Sequence, residues 1–239
     1  MSTLLSPPRR RGVETLDTPD TDPRLARRSL QDVAVANRLF GGTHAVLNAL
    51  EPLWDHLPRH ATLLDVGTGM GDIPARARRA AARAGVTLET VGLEATPALA
   101  AANCGIVSWP LCGDARALPF ADHSVDVVTC SQVLHHFFDA DMRFVVAEMN
   151  RVARVQAIVS ELHRSRIAAA GIWLASFALA FHPASRHDAV VSVMRGFHVG
   201  ELRQLVRETI GVDASVRYRP GYRITASWAP SRAPGPSAV

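Results

Sequence analysis

The chain contains no lysine: its 26 basic side chains are all arginine, against 22 acidic ones, for a formal charge of +4. Without Lys there is no G-K-[ST] sequence, so a P-loop is excluded. The arginines give little ground for nucleic-acid binding. Only Arg9, Arg10 and Arg11 form a dense run, and the others are scattered through helical segments beside Asp and Glu, as on solvated faces. Cysteine is scarce. Cys104, Cys112 and Cys130 form no C-x-x-C pair, which argues against a disulfide framework or a zinc knuckle and suits a reducing, cytoplasmic setting. The ten histidines show no H-E-x-x-H or comparable spacing, so no metal is expected. The N-terminus has no apolar core of a secretory signal. The apolar stretch 167–181 has 15 residues, short of the ~20 that span a bilayer. It reads as a buried or lid helix whose apolar face suits a hydrophobic acceptor or peripheral membrane contact.

What is present is an ordinary globular balance, with 48% apolar and 20% charged residues in 239. Residues 1–23 and 230–239 are Pro-rich and read as a flexible leader and a disordered tail, leaving 24–229 as a single domain. Helices are expected over 29–40 and 44–56, forming a cap across 24–58. Strand-like runs at 62–66, 87–93, 106–111, 124–131 and 156–162 alternate with helical stretches at 73–84, 97–103 and 139–152. That alternation implies βαβ units and a mostly parallel sheet covered on both faces. A hairpin over 213–218 and 222–228 would add an antiparallel edge. Helices at 167–181 and 199–209 complete the pattern, with 163–198 as an inserted acceptor-site segment. The fold class is α/β, doubly wound, with N-terminal and inserted lid helices.

The most informative stretch, Asp65-Val66-Gly67-Thr68-Gly69-Met70-Gly71-Asp72, follows a strand and opens a helix. Glycines there allow positive φ and close backbone approach, and free N–H groups of the helix start face the ligand. The spacing is G-x-G-x-G, not the dinucleotide G-x-G-x-x-G, and Asp72 would repel a pyrophosphate. Asp65 suits a cationic group such as an α-ammonium. Glu94, at the end of the second strand, can accept two ribose hydroxyls, and Asp114, after the third, can accept an adenine amine proton. Three acids at consecutive strand ends around a glycine turn describe one nucleoside-shaped site. Asp126 reads as a fold residue.

The runs LLDVGTGMGDIP, VGLE and CGDARALPFADHSVDVVTCSQVLHHF, in this order over residues 61–162, resemble class I S-adenosylmethionine-dependent methyltransferases of the small-molecule type. The resemblance implies a Rossmann-like sheet of about seven strands and S-adenosyl-L-methionine as cofactor. By position, Asp65, Gly67, Thr68, Gly69 and Gly71 would hold its methionine end, Glu94 the ribose, and Asp114 with Ala115 the adenine. Ser131 and Gln132 would flank the methionine part.

No D/N-P-P-Y turn or Pro-Cys nucleophile follows the fourth strand, which disfavours DNA as acceptor. The LHH pattern resembles small-molecule enzymes of quinone and polyketide biosynthesis. Deprotonating a phenol, of pKa near ~10, calls for a base, and His136 is the first candidate, with His135 as a helix-start residue. His187, held by Asp188, is the rival. Glu161, Arg186 and Asp188 are candidate acceptor contacts, and Asn37 or Arg38 a contact from the cap. The expected partner is a small-molecule acceptor, with no nucleic acid. Two alternatives stay open: a non-catalytic cofactor-binding protein, and a methyltransferase acting on membrane lipid.

Overall fold

The structure is a computed structural model that describes residues 7–10, 12–14 and 22–230. The rest of the expected leader and the tail from 231 lie outside the described residues. Seven strands form one sheet: β1 (His60–Val66), β2 (Thr87–Glu94), β3 (Trp109–Cys112), β4 (Val125–Ser131), β5 (Ala153–Leu162), β6 (Ser215–Arg219) and β7 (Arg223–Trp228). Their order is β3-β2-β1-β4-β5-β7-β6. All pairs are parallel except those of β7 with β5 and β6. The sheet matches the expected class, and the C-terminal hairpin is its antiparallel edge.

The helices are α1 (Pro23–Leu39), α2 (Gly42–Leu50), α3 (Asp72–Arg83), α4 (Pro97–Ala101), α5 (Asp139–Val152), α6 (Arg166–Ala178), α7 (Pro183–Arg195) and α8 (Val199–Ile210). Side chains on a strand alternate between faces, and this divides the core in two. Leu63, Val127 and Ile158 pack with Val46, Leu50, Ile73 and Ala77 of α2 and α3. Their neighbours Leu64, Val128 and Val159 pack with Val145, Met149, Leu202 and Val206 of α5 and α8. Asp126 does fold work, accepting from Thr62 N at 2.9 Å and pairing with Arg154.

Three expectations need correction. Helix α1 starts earlier than residue 29, because Asp22 caps it by accepting from the N–H groups of Arg24 and Leu25 at 2.7 and 3.2 Å, with Pro23 in the first turn. The stretch 167–181 does not run on as one helix. Helix α6 closes after Ala178, Ala180 takes a φ of 52°, and α7 follows from Pro183. Only Ala169 and Ser176 of α6 are buried. Last, residues 7–14 of the leader, where described, are docked rather than loose. Arg10 N donates to Met194 O, Arg9 Nε to Arg195 O and Arg164 Nε to Pro7 O, at 3.2, 2.7 and 2.7 Å. This strap lies across the α7–α8 junction. Among the described residues, no helix is long and apolar enough to cross a membrane.

Candidate active site

The strand order reverses between β1 and β4, and open α/β sheets bind ligands at the carboxyl ends beside such a switch point. A cavity of about 510 Å³ lies there, walled by the turn after β1, the ends of β2 and β4, the β3–β4 loop, α1 and α7. Its size falls in the usual range for small-molecule sites.

The turn after β1 takes its shape from three left-handed glycines, Gly67, Gly69 and Gly71, at φ of 69, 59 and 70°. A Cβ on Gly67 would lie 2.3 Å from Val133 Cγ2, whereas one on Gly69 meets nothing closer than Leu30 Cδ2 at 3.8 Å. Gly67 is therefore glycine for packing and Gly69 for access to the cavity. Gly71 ends the turn as the residue before α3. Ser131 Oγ, at the end of β4, is buried without a hydrogen-bond partner, and the Thr68 hydroxyl in the turn interacts with the buried Asp65 carboxyl beneath it. Buried polar atoms without partners are uncommon; Ser131 also lines the cavity and suits a polar ligand.

Glu94 accepts the N–H of Gly69 and is nearly buried. Burial raises its pKa from the ordinary value, although backbone N–H groups pull it down. Asp114 is instead held below its ordinary value, chiefly by hydrogen bonds from Arg116, whose Nη2 lies 2.8 Å from Oδ2. Gln132 is fixed on both ends, by Asn37 and by Arg223 Nη1 at 2.6 Å, and its φ is 58°. The buried Arg223 guanidinium is pushed down to about 10 by desolvation. Asp72 lines the cavity at the start of α3 and accepts from Thr43 Oγ1 at 2.9 Å.

Gly67, Thr68, Gly69, Glu94, Asp114, Ala115, Ser131 and Gln132 all line this one cavity. Asp65 and Gly71 sit behind its wall. Asp65 is buried under the turn, accepts from Thr129 Oγ1 at 2.6 Å, and is pushed up to about 7 by desolvation. Residues 64–160 match the family model described as a methyltransferase domain. The chain carries an S-adenosylmethionine-dependent methyltransferase domain.

Solved structures agree on the fold. A SAM-dependent methyltransferase from Aquifex aeolicus shares 15% identity over 88% of this chain and 99% of its own, at a TM-score of 0.59. The mitomycin 7-O-methyltransferase shares 17% over 92% and 61%, at 0.63. Magnesium protoporphyrin IX methyltransferase from Synechocystis PCC 6803, solved with bound S-adenosylhomocysteine, shares 14% over 79% and 84%, at 0.50. No curated protein matches the chain.

The residues expected to serve an acceptor divide. His136 lies in a 3-10 turn, Leu134–His136, and lines the cavity with its side chain 27% exposed. Asp188 also lines it and is buried. His187 does not; it points from α7 toward solvent, so the rival base is misplaced. Glu161 does not reach the cleft either. It is fully buried behind His135, with Oε2 at 2.8 Å from His135 Nδ1. The His135 imidazole draws its carboxyl below the ordinary value, against the opposing effect of burial. Arg186 braces α6 against α7, donating to Ser176 Oγ at 3.0 Å and stacking over Phe177.

Glu14 and Arg223 escaped the sequence reading. Glu14, carried in by the strap, is buried on the cavity floor and accepts from Ser192 Oγ at 2.8 Å and Arg195 Nη1 at 3.0 Å. No local pattern marks it. Arg223 carried one signal, the single charge in the mostly buried run of β7.

Proposed function

We propose that the chain transfers a methyl group from S-adenosylmethionine to a small apolar acceptor of the aromatic, polyketide or quinone-like type, on oxygen. The observation that carries this reading is a second cavity of about 420 Å³, walled mainly by apolar side chains of α1, α6 and α7 that include Val33, Ile167 and Ile172, with Phe40 from the end of α1. It shares Val33, Ala36, Gln132, Ala189 and Ser192 with the first cavity. One chamber is polar at its strand-end wall and fits the cofactor, while the other suits an apolar body whose reactive end reaches into the first.

When bound, the cofactor supplies a methyl on a positively charged sulfur. The chain's own part is alignment, water exclusion and proton removal. Glu94 would take the ribose hydroxyls and Asp114, kept ionised by Arg116, the adenine amine. The Thr68 and Ser131 hydroxyls would meet the amino-acid end, with the Asp65 carboxyl beneath the turn. His136 would take the proton of the acceptor hydroxyl. The glycines admit the ligand, and α1 with the strap covers the chamber.

The test is turnover of methyl-labelled cofactor across a panel of phenols, quinols and their N- and C-nucleophile analogues, by wild type and His136→Ala. The reading expects an O-methylated apolar product and a loss of turnover in His136→Ala of roughly 10²–10⁴-fold, with cofactor affinity little changed. Cofactor binding without turnover on any acceptor favours a non-catalytic binding protein instead. A second reading, action on a membrane-associated lipid, is favoured by the exposed Ile167, Trp173, Leu174 and Phe177 of α6. Co-sedimentation with vesicles, lost on Trp173→Ser and Phe177→Ser, would support it.

A further inference from the structure

The strap does more than cover the chamber. It places Glu14 against the two histidines that follow β4. Glu14 Oε1 lies 3.7 Å from His135 Nε2, and Glu14 Oε2 lies 3.9 Å from His136 Nε2. One ligand-type atom from each of the three residues lies within 4.8 Å of the other two. All three residues line the main cavity.

The surroundings match how a metal-binding set is held. His135 is 3% exposed, and its Nε2 has no hydrogen-bond partner. Its Nδ1 faces Glu161 Oε2 at 2.8 Å. A carboxylate that accepts a hydrogen bond from Nδ1–H fixes the ring and leaves the Nε2 lone pair for a metal. The Glu14 carboxylate is itself oriented by Ser192 and Arg195, as ligating carboxylates commonly are. Zinc bonds of ~2.0–2.2 Å in a tetrahedron put ligand atoms roughly 3.3–3.6 Å apart, so a set spread over up to 4.8 Å would draw together on taking up the ion. The set carries two carboxylates, and each already has a guanidinium near it, Arg195 for Glu14 and Arg223 for Glu161, so the case for a metal rests on the donor set.

We propose that Glu14, His135 and His136 form a binding site for a divalent transition-metal ion of the zinc type, with a fourth position open to the cavity. Two imidazoles and a carboxylate with one open position are a common ligand set for catalytic zinc. A water or an acceptor oxygen would take the open position. The inference rests on the proposed function only in placing an acceptor there; with the ion bound, His136 would be a ligand and not the base, and the metal would lower the pKa of a bound acceptor hydroxyl so that its proton passes to solvent before methyl transfer. The chain spacing hides the site, because Glu14 is far in sequence from the histidine pair.

The full chain, stripped with a chelator, is titrated with Zn²⁺ and with Co²⁺ without cofactor or acceptor. The expected result is saturable one-to-one binding, with the visible absorption of four-coordinate Co²⁺. Glu14→Ala and His136→Ala should each weaken it by roughly 10- to 100-fold or more, judged against the loss typical of outer-shell changes. His135 is buried and its replacement threatens folding, so Glu161→Gln serves as the second probe and should weaken binding by a smaller factor; thermal unfolding checks that each variant is folded. No saturable binding, or binding that is the same in Glu14→Ala and His136→Ala, overturns the proposal. S-adenosylhomocysteine affinity is measured on the same stripped protein, so that a failed metal site and a failed cofactor site are told apart.

Discussion

Replacing Gly67 by alanine separates two costs that the glycine turn carries. A non-glycine residue at φ of 69° costs about 1–2 kcal/mol in the left-handed region. The added Cβ would also lie 2.3 Å from Val133 Cγ2 and 3.3 Å from Cγ1, an overpacking worth typically about 1–3 kcal/mol. Gly67→Ala should therefore destabilise by about 2–5 kcal/mol, a fall in melting temperature of roughly 4–20 °C for a chain of this size. Gly69→Ala carries the backbone cost alone, since its Cβ meets only Leu30 at 3.8 Å. It should lose roughly 2–8 °C, yet harm cofactor binding, because the methyl enters the cavity. Scanning calorimetry of Gly67→Ala with and without Val133→Ala isolates the crowding share as a coupling of about 1–3 kcal/mol. The reasoning is refuted if Gly67→Ala melts with the wild type, or if removing the Val133 methyls recovers nothing.

Further outcomes follow from the buried acid and the apolar chamber. Asp65 titrates near 7 in the folded chain and near its ordinary 3.8 when unfolded. Between those values the native state holds a proton that the unfolded state has released, so stability falls as pH rises through that window and levels off above it. Asp65→Asn keeps an acceptor for Thr129 and cannot ionise. Its melting temperature should therefore gain on the wild type between pH 4 and pH 8, by a stability of a few kcal/mol at about 1.4 kcal/mol for each pH unit of displacement; a constant or shrinking difference would contradict this. Gly171 of α6 lines the apolar chamber, and a Cβ there meets nothing within 4 Å. Gly171→Phe should raise KM for bulky apolar acceptors, leave cofactor affinity unchanged and, by removing a mid-helix glycine, stabilise the chain by about a few tenths of a kcal/mol; an unaltered KM would place the acceptor elsewhere.

How far the sequence predicted this structure depended on how local each signal was. The parallel strands and the glycine turn were legible because apolar runs, Gly67, Gly69 and Gly71 act within a few residues of one another. Glu94 and Asp114 were legible because strand ends in this topology converge. Glu14 was not, since its partners Ser192, Arg195 and His135 are brought to it only by a strap docking across α7. Glu161 was misread for a related reason. A carboxylate at a strand end points either to the cleft or to a neighbouring turn, and only the position of His135 decides which. His187 and Arg186 were displaced by the undetected break at 179–182, which puts them on α7 and gives His187 to the solvent face and Arg186 to the contact with α6.

The account stands most directly on one measurement, the calorimetric titration of wild type and Glu94→Ala with S-adenosylhomocysteine. The structure predicts a single site in the wild type, weakened in Glu94→Ala by about 1–3 kcal/mol, or roughly 5- to 150-fold, for loss of charge-assisted bonds to the ribose. Absence of binding in the wild type, or equal affinity in the two proteins, would contradict the assignment of the strand-end cavity to the cofactor.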